Sequence, residues 1–471
     1  MIPTPLIFVL APWLAVPAIY ALRVRGWRTA ETLAAVAAAA GLAGLAAFLP
    51  LAAPPYLTDT FSVLGRQFVM MPADRAALTQ SFALAALIFL GAGLQTQGRY
   101  FLAAGVGILG LQAAALLVRP FLYSAIFIEL GAAISVLMLT DEAHPATTGA
   151  LRFLIYTTLG VPFILFAGWL IESGAANPGD PAYLSQAAFF LTAGFALWLA
   201  VVPFHSWLPV MAQDAPPLAT AFVTAVMRAP MIFLLLKLLD TYGWLAETPL
   251  FANGLVLAGA SMVILGALFV FGQRNLGRSV GYALLIEFGA VLLAVALGTR
   301  AGVEATLAAL AMRGPGLWLW AMGLDQLRRA ARARDPERAG SGDDFAALGG
   351  LGWRYPFAVT AVAVGMLSLV GVPLMAGFPA RWALLRLLAE QTPALAAVLL
   401  AAMTSVGLVV FRGLAAMTTP RSSDEVIEPR ESRPAMVAFC FGVGVVLLLG
   451  AFPQWILPSV ASGAAFTRFG P

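Results

Sequence analysis

Charge is scarce in this chain. Only 11% of its 471 residues are Asp, Glu, Lys or Arg, where a soluble domain carries about 25%. The single cysteine, Cys440, excludes a disulfide within the chain and any cysteine-held metal cluster. The only histidines are His144 and His205, and the only lysine is Lys237, so 26 of the 27 basic residues are arginine. No glycine-rich phosphate loop, haem-ligand pair or nucleophile–base constellation stands out, so no redox or hydrolytic site of the chain's own is expected. Long polar stretches are missing too. The longest is expected as a loop holding Gln326, Arg328, Arg329, Arg332, Arg334, Arg338, Asp343 and Asp344, with the basic cluster solvated and anchoring to anionic lipid or a partner subunit.

Hydrophobic residues make up 61% of the chain, with a mean hydropathy of +0.90. They come in blocks long enough to cross a hydrocarbon core, which takes about 20 helical residues. This excludes a secreted disulfide scaffold, a disordered chain and a nucleic-acid binder. A pI near 9.4 with a net charge of only +4 reads as membrane topology. The segment Ile2–Leu22 is followed by Arg23, Arg25 and Arg28 instead of a small-residue cleavage site, so it reads as a span. Further spans are expected near 30–51, 78–95, 101–118, 122–140, 150–171, 184–211, 216–239, 250–271, 280–298, 305–324, 357–378, 394–411 and 436–457. The fold expected is an all-α polytopic membrane protein of about fourteen transmembrane helices. With the N-terminus outside, the inner loops collect Arg23, Arg25, Arg28, Arg99, Arg152, Arg274, Arg278, the 328–338 cluster, Arg412, Arg421, Arg430 and Arg433. The outer loops keep few, such as Arg66, Arg75, Arg119 and Arg300. Both termini are therefore expected outside the cytoplasm, in a cell inner (plasma) membrane.

Two spans are interrupted alike, by Val201-Val202-Pro203-Phe204-His205-Ser206-Trp207-Leu208-Pro209 and by Gly371-Val372-Pro373-Leu374-Met375-Ala376-Gly377-Phe378-Pro379. A proline frees a carbonyl that inside a bilayer must face protein or a water-lined cavity. Paired broken helices point to inverted repeats and an ion site. Phe127-Ile128-Glu129-Leu130-Gly131 is echoed by Leu285-Ile286-Glu287-Phe288-Gly289. Helices 4–8 and 9–13 thus form two five-helix units, the second inverted because five is odd, with helices 7 and 12 broken. The implied division is residues 1–100 for helices 1–3, 101–240 and 250–412 for the two units, and 413–471 for a loop and helix 14. Glu129 and Glu287 lie mid-span, where a charge costs at least about 2.5–3.5 kcal/mol unless it meets a partner or water. Arg228, Arg313 and Arg381 are the candidate partners, and His205 is the remaining residue with a near-neutral intrinsic pKa. Asp74 and Arg75 read as interfacial capping charges.

These residues also carry a resemblance. Pro203-Phe204-His205-Ser206-Trp207-Leu208-Pro209 followed by Ala215-Pro216-Pro217 resembles the PFHxWLP…AP segment of the proton-conducting, antiporter-like membrane subunits of respiratory complex I, Mrp antiporters and membrane-bound hydrogenases. Phe-Ile-Glu-Leu around Glu129 resembles the family's fifth-helix glutamate, and Arg274-Asn275-Leu276-Gly277-Arg278 through Tyr282 the approach to the tenth helix. Asp344-Phe345 to Gly349-Gly350-Leu351, and Leu367-Ser368-Leu369-Val370-Gly371-Val372-Pro373 to Gly377-Phe378, resemble the loop and signature of the twelfth. The match covers roughly residues 74–412, and length and helix count resemble the M- and N-type subunits.

The resemblance implies a proton-translocating subunit of a complex I-type NADH–quinone oxidoreductase or related redox complex. Other membrane subunits and the lipid bilayer would be its partners, quinone and Fe–S clusters would sit in partner subunits, and no cofactor or metal in this chain. A subunit of an Mrp-type cation/proton antiporter and a non-conducting structural subunit are the alternatives. The departures are specific. Trp198 occupies the family's seventh-helix lysine position, Arg228, Arg313 and Arg381 stand where the eighth, eleventh and twelfth helices carry lysine, and Glu287 replaces a histidine. Arginine stays charged, so it can tune a carboxylate but cannot pass a proton on. The route is thus expected to run through Glu129, His205 and Glu287, with Arg228 pairing with Glu129.

Overall fold

In lipid every backbone donor must be satisfied within the chain, which leaves apolar blocks of this length the helix as their spanning form. The computed structural model describes residues 2–49, 57–63, 65–95, 97–140, 148–177, 180–335, 342–419 and 431–456. His144, Arg338, Arg421 and Arg430 lie outside the described residues. The helices are α1 (Thr4–Val24), α2 (Arg28–Phe48), α3 (Pro72–Ala92), α4 (Phe101–Leu117), α5 (Ser124–Leu139), α6 (Thr148–Ala176), α7a (Ala182–Trp198), α7b (Trp207–Asp214) and α8 (Pro217–Thr241). They continue as α9 (Pro249–Phe271), α10 (Leu276–Ala296), α11 (Arg300–Arg334), α12a (Pro356–Val370), α12b (Phe378–Gln391), α13 (Pro393–Met417) and α14 (Arg433–Ala451). Several open on proline (Pro72, Pro217, Pro249, Pro356, Pro393), where the missing N–H has no helical partner to lose. Among the described residues, ten helices are long and apolar enough to cross a membrane.

Burial sorts these helices. The hydrophobic windows of α8 and α10 are 94% and 89% buried, whereas those of α1, α9, α13 and α14 are 22–28% buried. The peripheral helices show Leu14, Leu257, Phe411 and Val437 on their exposed faces. Arg228 on α8 and Glu287 on α10 are therefore interior, a fact that fixes their energetics. Neighbouring helices pack in sequence from α4 to α7a and again from α9 to α12a. The two stretches meet where α7b lies on α10 and the start of α8 lies on α11.

Two expectations are corrected. Beside the helices, which make up most of the chain, lies a small antiparallel sheet: β1 (Thr60–Val63) pairs with β2 (Arg66–Val69) in the register Thr60↔Val69, and β2 pairs with β3 (Val118–Arg119). Its residues alternate too briefly to register in a hydropathy pattern. The arginine-rich segment after residue 324 is helical as far as Arg334, because Ala, Leu and Arg are strong helix formers whatever their hydropathy. Finally, Arg328 is not solvated. Its guanidinium reaches Asp343 Oδ2 at 2.6 Å and donates to the carbonyls of Ala212 (2.9 Å), Gln213 (2.8 Å) and Ala215 (2.9 Å).

That clamp holds the carbonyl end of α7b, where a cation suits the helix dipole. Asp343 also accepts from Asn275 Nδ2 (2.6 Å) and Gly277 N (3.1 Å), so the approaches to α10 and α12a are tied to the same point. Arg75 caps the end of α2 through the carbonyls of Ala46 and Ala47, at 3.1 and 2.9 Å. Asp74 caps α3 by accepting from Met71 N at 3.0 Å. It is also fully buried and paired with Lys237 and Arg119, a contact that sequence reading did not anticipate.

Candidate functional site

Both helix breaks store backbone strain. Ala200 (φ 57°) follows α7a, and Gly371 (φ 83°) and Leu374 (φ 68°) lie between α12a and α12b. Left-handed conformations at Ala and Leu cost about 1–3 kcal/mol each and persist only where the surroundings impose them. Gly371 is required twice over, since its φ favours glycine and an added Cβ would fall 2.6 Å from Arg381 Cβ. A third irregularity lies in α8, where Phe222–Met227 forms a π-helical turn immediately before Arg228. Pro230 accounts for it, because its ring clashes with the carbonyl of Val226 and it has no N–H to offer there.

The second half of the chain gathers its charges. Glu287 on α10 and Arg313 on α11 are 3% and 2% exposed and form an ion pair at 3.8 Å. Arg313 Nη2 also donates to the Ala225 carbonyl in the π turn at 3.2 Å, so one guanidinium bridges the two stretches of helices. Arg381, on α12b just past the break, is 7% exposed and interacts electrostatically with Glu287. Glu287, Arg313, Arg381 and Ser368 line one cavity of about 20 Å³, which is room for about one water. It adjoins a cavity of about 370 Å³ lined by Glu304, Arg386 and Glu390, and Ala305 and Ala380 line both.

The first half does not mirror this. Glu129 is half-buried and accepts a 2.6 Å hydrogen bond from Thr158 Oγ1 on α6. Among the described residues it makes no ion pair within 4 Å, so the expected pairing with Arg228 is absent. Arg228 instead packs its guanidinium over Trp207 (4.3 Å to the ring centre) and Phe288 (5.4 Å), and its Nε and Nη1 have no partner among the described residues. The reason is geometric: the π turn swings Arg228 inward between α7b and α10, while Glu129 faces α6. Arg313 lies 5.2 Å from the same Phe288 ring, so two cations share one aromatic ring.

Trp198 is 1% exposed, and its Nε1 donates to the Thr157 carbonyl at 3.1 Å. Gly160 makes room for the indole, which would collide with any side chain there. The indole therefore fixes α7a against α6 one residue from Thr158, the residue that holds Glu129. His205 lies in the 3₁₀ turn Phe204–Ser206 of the first break, half-buried, its ring 6.4 Å from that of Phe269. No hydrogen bond or ion pair joins it to Glu129 or Glu287 among the described residues.

Sequence reasoning missed Thr158, Ser368 and the Asp74–Lys237–Arg119 cluster. Pro162 inside α6 signals irregular hydrogen bonding near Thr158, and Pro230 signals the π turn. Nothing in the sequence signals the pairing of Asp74 with Lys237.

The family model described as NADH:quinone oxidoreductase/Mrp antiporter, TM, matches residues 125–407. NADH-quinone oxidoreductase subunit N of Rhodopseudomonas palustris is 28% identical over 387 residues, covering 81% of this chain and 78% of that one. The subunit N of Cereibacter sphaeroides is 27% identical and covers 67% and 68%. A chain of the Mrp complex from Dietzia superposes with a TM-score of 0.79 at 17% identity, covering 98% of this chain and 97% of that one. A chain of respiratory complex I from Thermus thermophilus gives 0.72 at 20%, covering 97% and 100%.

Proposed function

The chain belongs to the NADH:quinone oxidoreductase/Mrp antiporter transmembrane family, and from that premise we propose that it is a proton-translocating, antiporter-like membrane subunit of a complex I-type NADH–quinone oxidoreductase. It would couple electron transfer in partner subunits to proton movement. The observation that carries this reading is Glu287, a carboxylate buried beside Arg313 and Arg381 at the second helix break, with a wider cavity next to it. Glu287 is the group that gains and loses the proton. Arg313, held between Glu287 and the Ala225 carbonyl, controls it by distance. At an effective dielectric near 20, drawing a unit charge from about 4 Å to about 8 Å removes roughly 2 kcal/mol of attraction, enough to change the carboxylate's proton occupancy more than tenfold. Glu304 and Glu390 would then carry the proton between the wider cavity and the membrane surface.

The finer architecture belongs to the same proposal: fourteen spans, inverted repeats in helices 4–8 and 9–13 with the domain limits given above, both termini outside the cytoplasm, and an inner-membrane location. Quinone and Fe–S chemistry would be the partners'. Glu129 supports a partner on that side. It is half-buried with exposed Ile126, Leu130 and Ile155 around it, and a mid-span carboxylate left to lipid would cost several kcal/mol. A covering subunit removes that cost. Trp198 and the fixed arginines favour a second reading, a non-conducting scaffold in the same complex. Purifying the native assembly is the test: iron–sulfur absorbance and NADH–quinone reductase activity co-eluting with this chain are expected. Elution with small antiporter subunits and no iron would place the chain in an Mrp-type complex and overturn the redox assignment.

A further inference from the structure

The buried centre holds more positive charge than negative. Arg228, Arg313 and Arg381 are 1%, 2% and 7% exposed, against a single buried carboxylate, Glu287, at 3%. The other helices packed on α10 do not restore the balance. α9 and α12a contain no charged residue, α7b carries one, Asp214, at the end that lies on the start of α10, and Arg412, the one charge on α13, lies at the far end, where it donates to the Phe271 carbonyl. Beyond this centre, Glu304, Arg386 and Glu390 face the adjoining cavity.

The donors are as unbalanced as the charge. Arg313 Nε and Nη1, Arg381 Nε and Ser368 Oγ are buried without a hydrogen-bond partner among the described residues, and all three side chains line the 20 Å³ cavity. Gly377 and Ala380 line it too, so the amino end of the 14-residue α12b adds its partial positive charge. The size suits one water or one ion little larger. Water can meet two of the donors and leaves the charge unchanged, whereas a monovalent anion accepts from all of them and offsets one cation.

We propose that this cavity binds one small inorganic anion of the chloride class, held by Arg313, Arg381 and Ser368 beside Glu287. The site is a property of the chain whether or not it conducts protons. Occupancy is linked to Glu287: when the carboxylate takes a proton its negative charge is lost, the anion binds more tightly, and by reciprocity the bound anion favours the protonated carboxylate. Proton and anion then load together with no change in net charge.

The test is equilibrium binding of radiolabelled chloride to the purified native complex, at mildly acid and mildly alkaline pH. A saturable site is expected that binds more tightly at acid pH. Ser368→Ala and Arg381→Gln should each weaken it by roughly tenfold or more, the usual cost of losing a hydrogen bond to a charged group. Glu287→Gln should make its affinity independent of pH. If Arg381→Gln fails to assemble, Ser368→Ala, which removes a single oxygen, decides the matter. Chloride binding identical in wild type and Ser368→Ala, or no binding by the wild-type complex, would mean that the cavity holds water and would overturn the proposal. The readout is bound anion, so failure here is distinct from failure of proton translocation.

Discussion

Removing the negative partner from the buried centre should harm the protein more than removing the positive one. The Arg313–Glu287 contact at 3.8 Å contributes an attraction of about 4 kcal/mol at an effective dielectric near 20. Arg313 also pays a repulsion. It and Arg228 lie 5.2 and 5.4 Å from the centre of Phe288, so they are separated by no more than about 11 Å and repel by about 1.5 kcal/mol or more. Arg313→Gln loses the attraction, gains that relief and leaves Glu287 facing Arg381. Glu287→Gln loses the attraction and leaves three guanidiniums with no carboxylate among them. The second substitution should therefore be costlier by about 1.5 kcal/mol, roughly tenfold in the folded-to-unfolded ratio. The assay is the fraction of intact complex surviving graded heating, read by size exclusion at alkaline pH. Glu287→Gln should melt first, and its deficit against wild type should shrink as pH falls and the native carboxylate takes up a proton. Equal losses, or a worse outcome for Arg313→Gln, would refute the reasoning from charge balance.

Two further predictions concern packing. Trp198→Phe keeps an aromatic ring but gives up part of the buried indole and its hydrogen bond to a carbonyl already used by its helix, so it should cost about 2–3 kcal/mol and leave proton flux intact. Trp198→Lys buries an ammonium against α6 and should sharply reduce the amount of chain in the assembled complex, and a fully assembled, faster-pumping Trp198→Lys protein would refute this. Arg328→Met removes the guanidinium from the buried Asp343, leaving its carboxylate charge unpaired with any cation of the clamp, and should destabilise the assembly by about 3–5 kcal/mol on the same heating assay. Adding Asp343→Asn should recover part of that loss, and strictly additive losses would contradict the clamp.

Much of this was legible in the sequence because lipid leaves few alternatives. Apolar blocks became helices, and the prolines at 203 and 209 and the proline–glycine cluster at 371–379 became breaks, since each proline removes a helix donor and crowds the preceding turn. Glu129 and Glu287 announced themselves as charges far from helix ends. What was not legible depends on which faces meet. Glu287 and Arg313 pair because α10 and α11 are adjacent at that level, while Arg228, expected beside Glu129, is turned away by a π turn whose only trace is Pro230. Thr158 could not be assigned to Glu129 without the register of α6 against α5. Arg328 lies in a basic run that reads as a solvated face, yet its position along α11 brings it to the carbonyl end of α7b. Hydropathy reports whether a segment is buried on average and does not reveal the one residue in it that points inward.

The proton yield per electron of the reconstituted native complex tests the central claim most directly. Measured with Glu129→Gln and Glu287→Gln combined, and normalised to intact complex, electron transfer should persist while the yield falls by this subunit's share. An unchanged yield in fully assembled complex would show that protons do not pass through these carboxylates and that the chain is a scaffold.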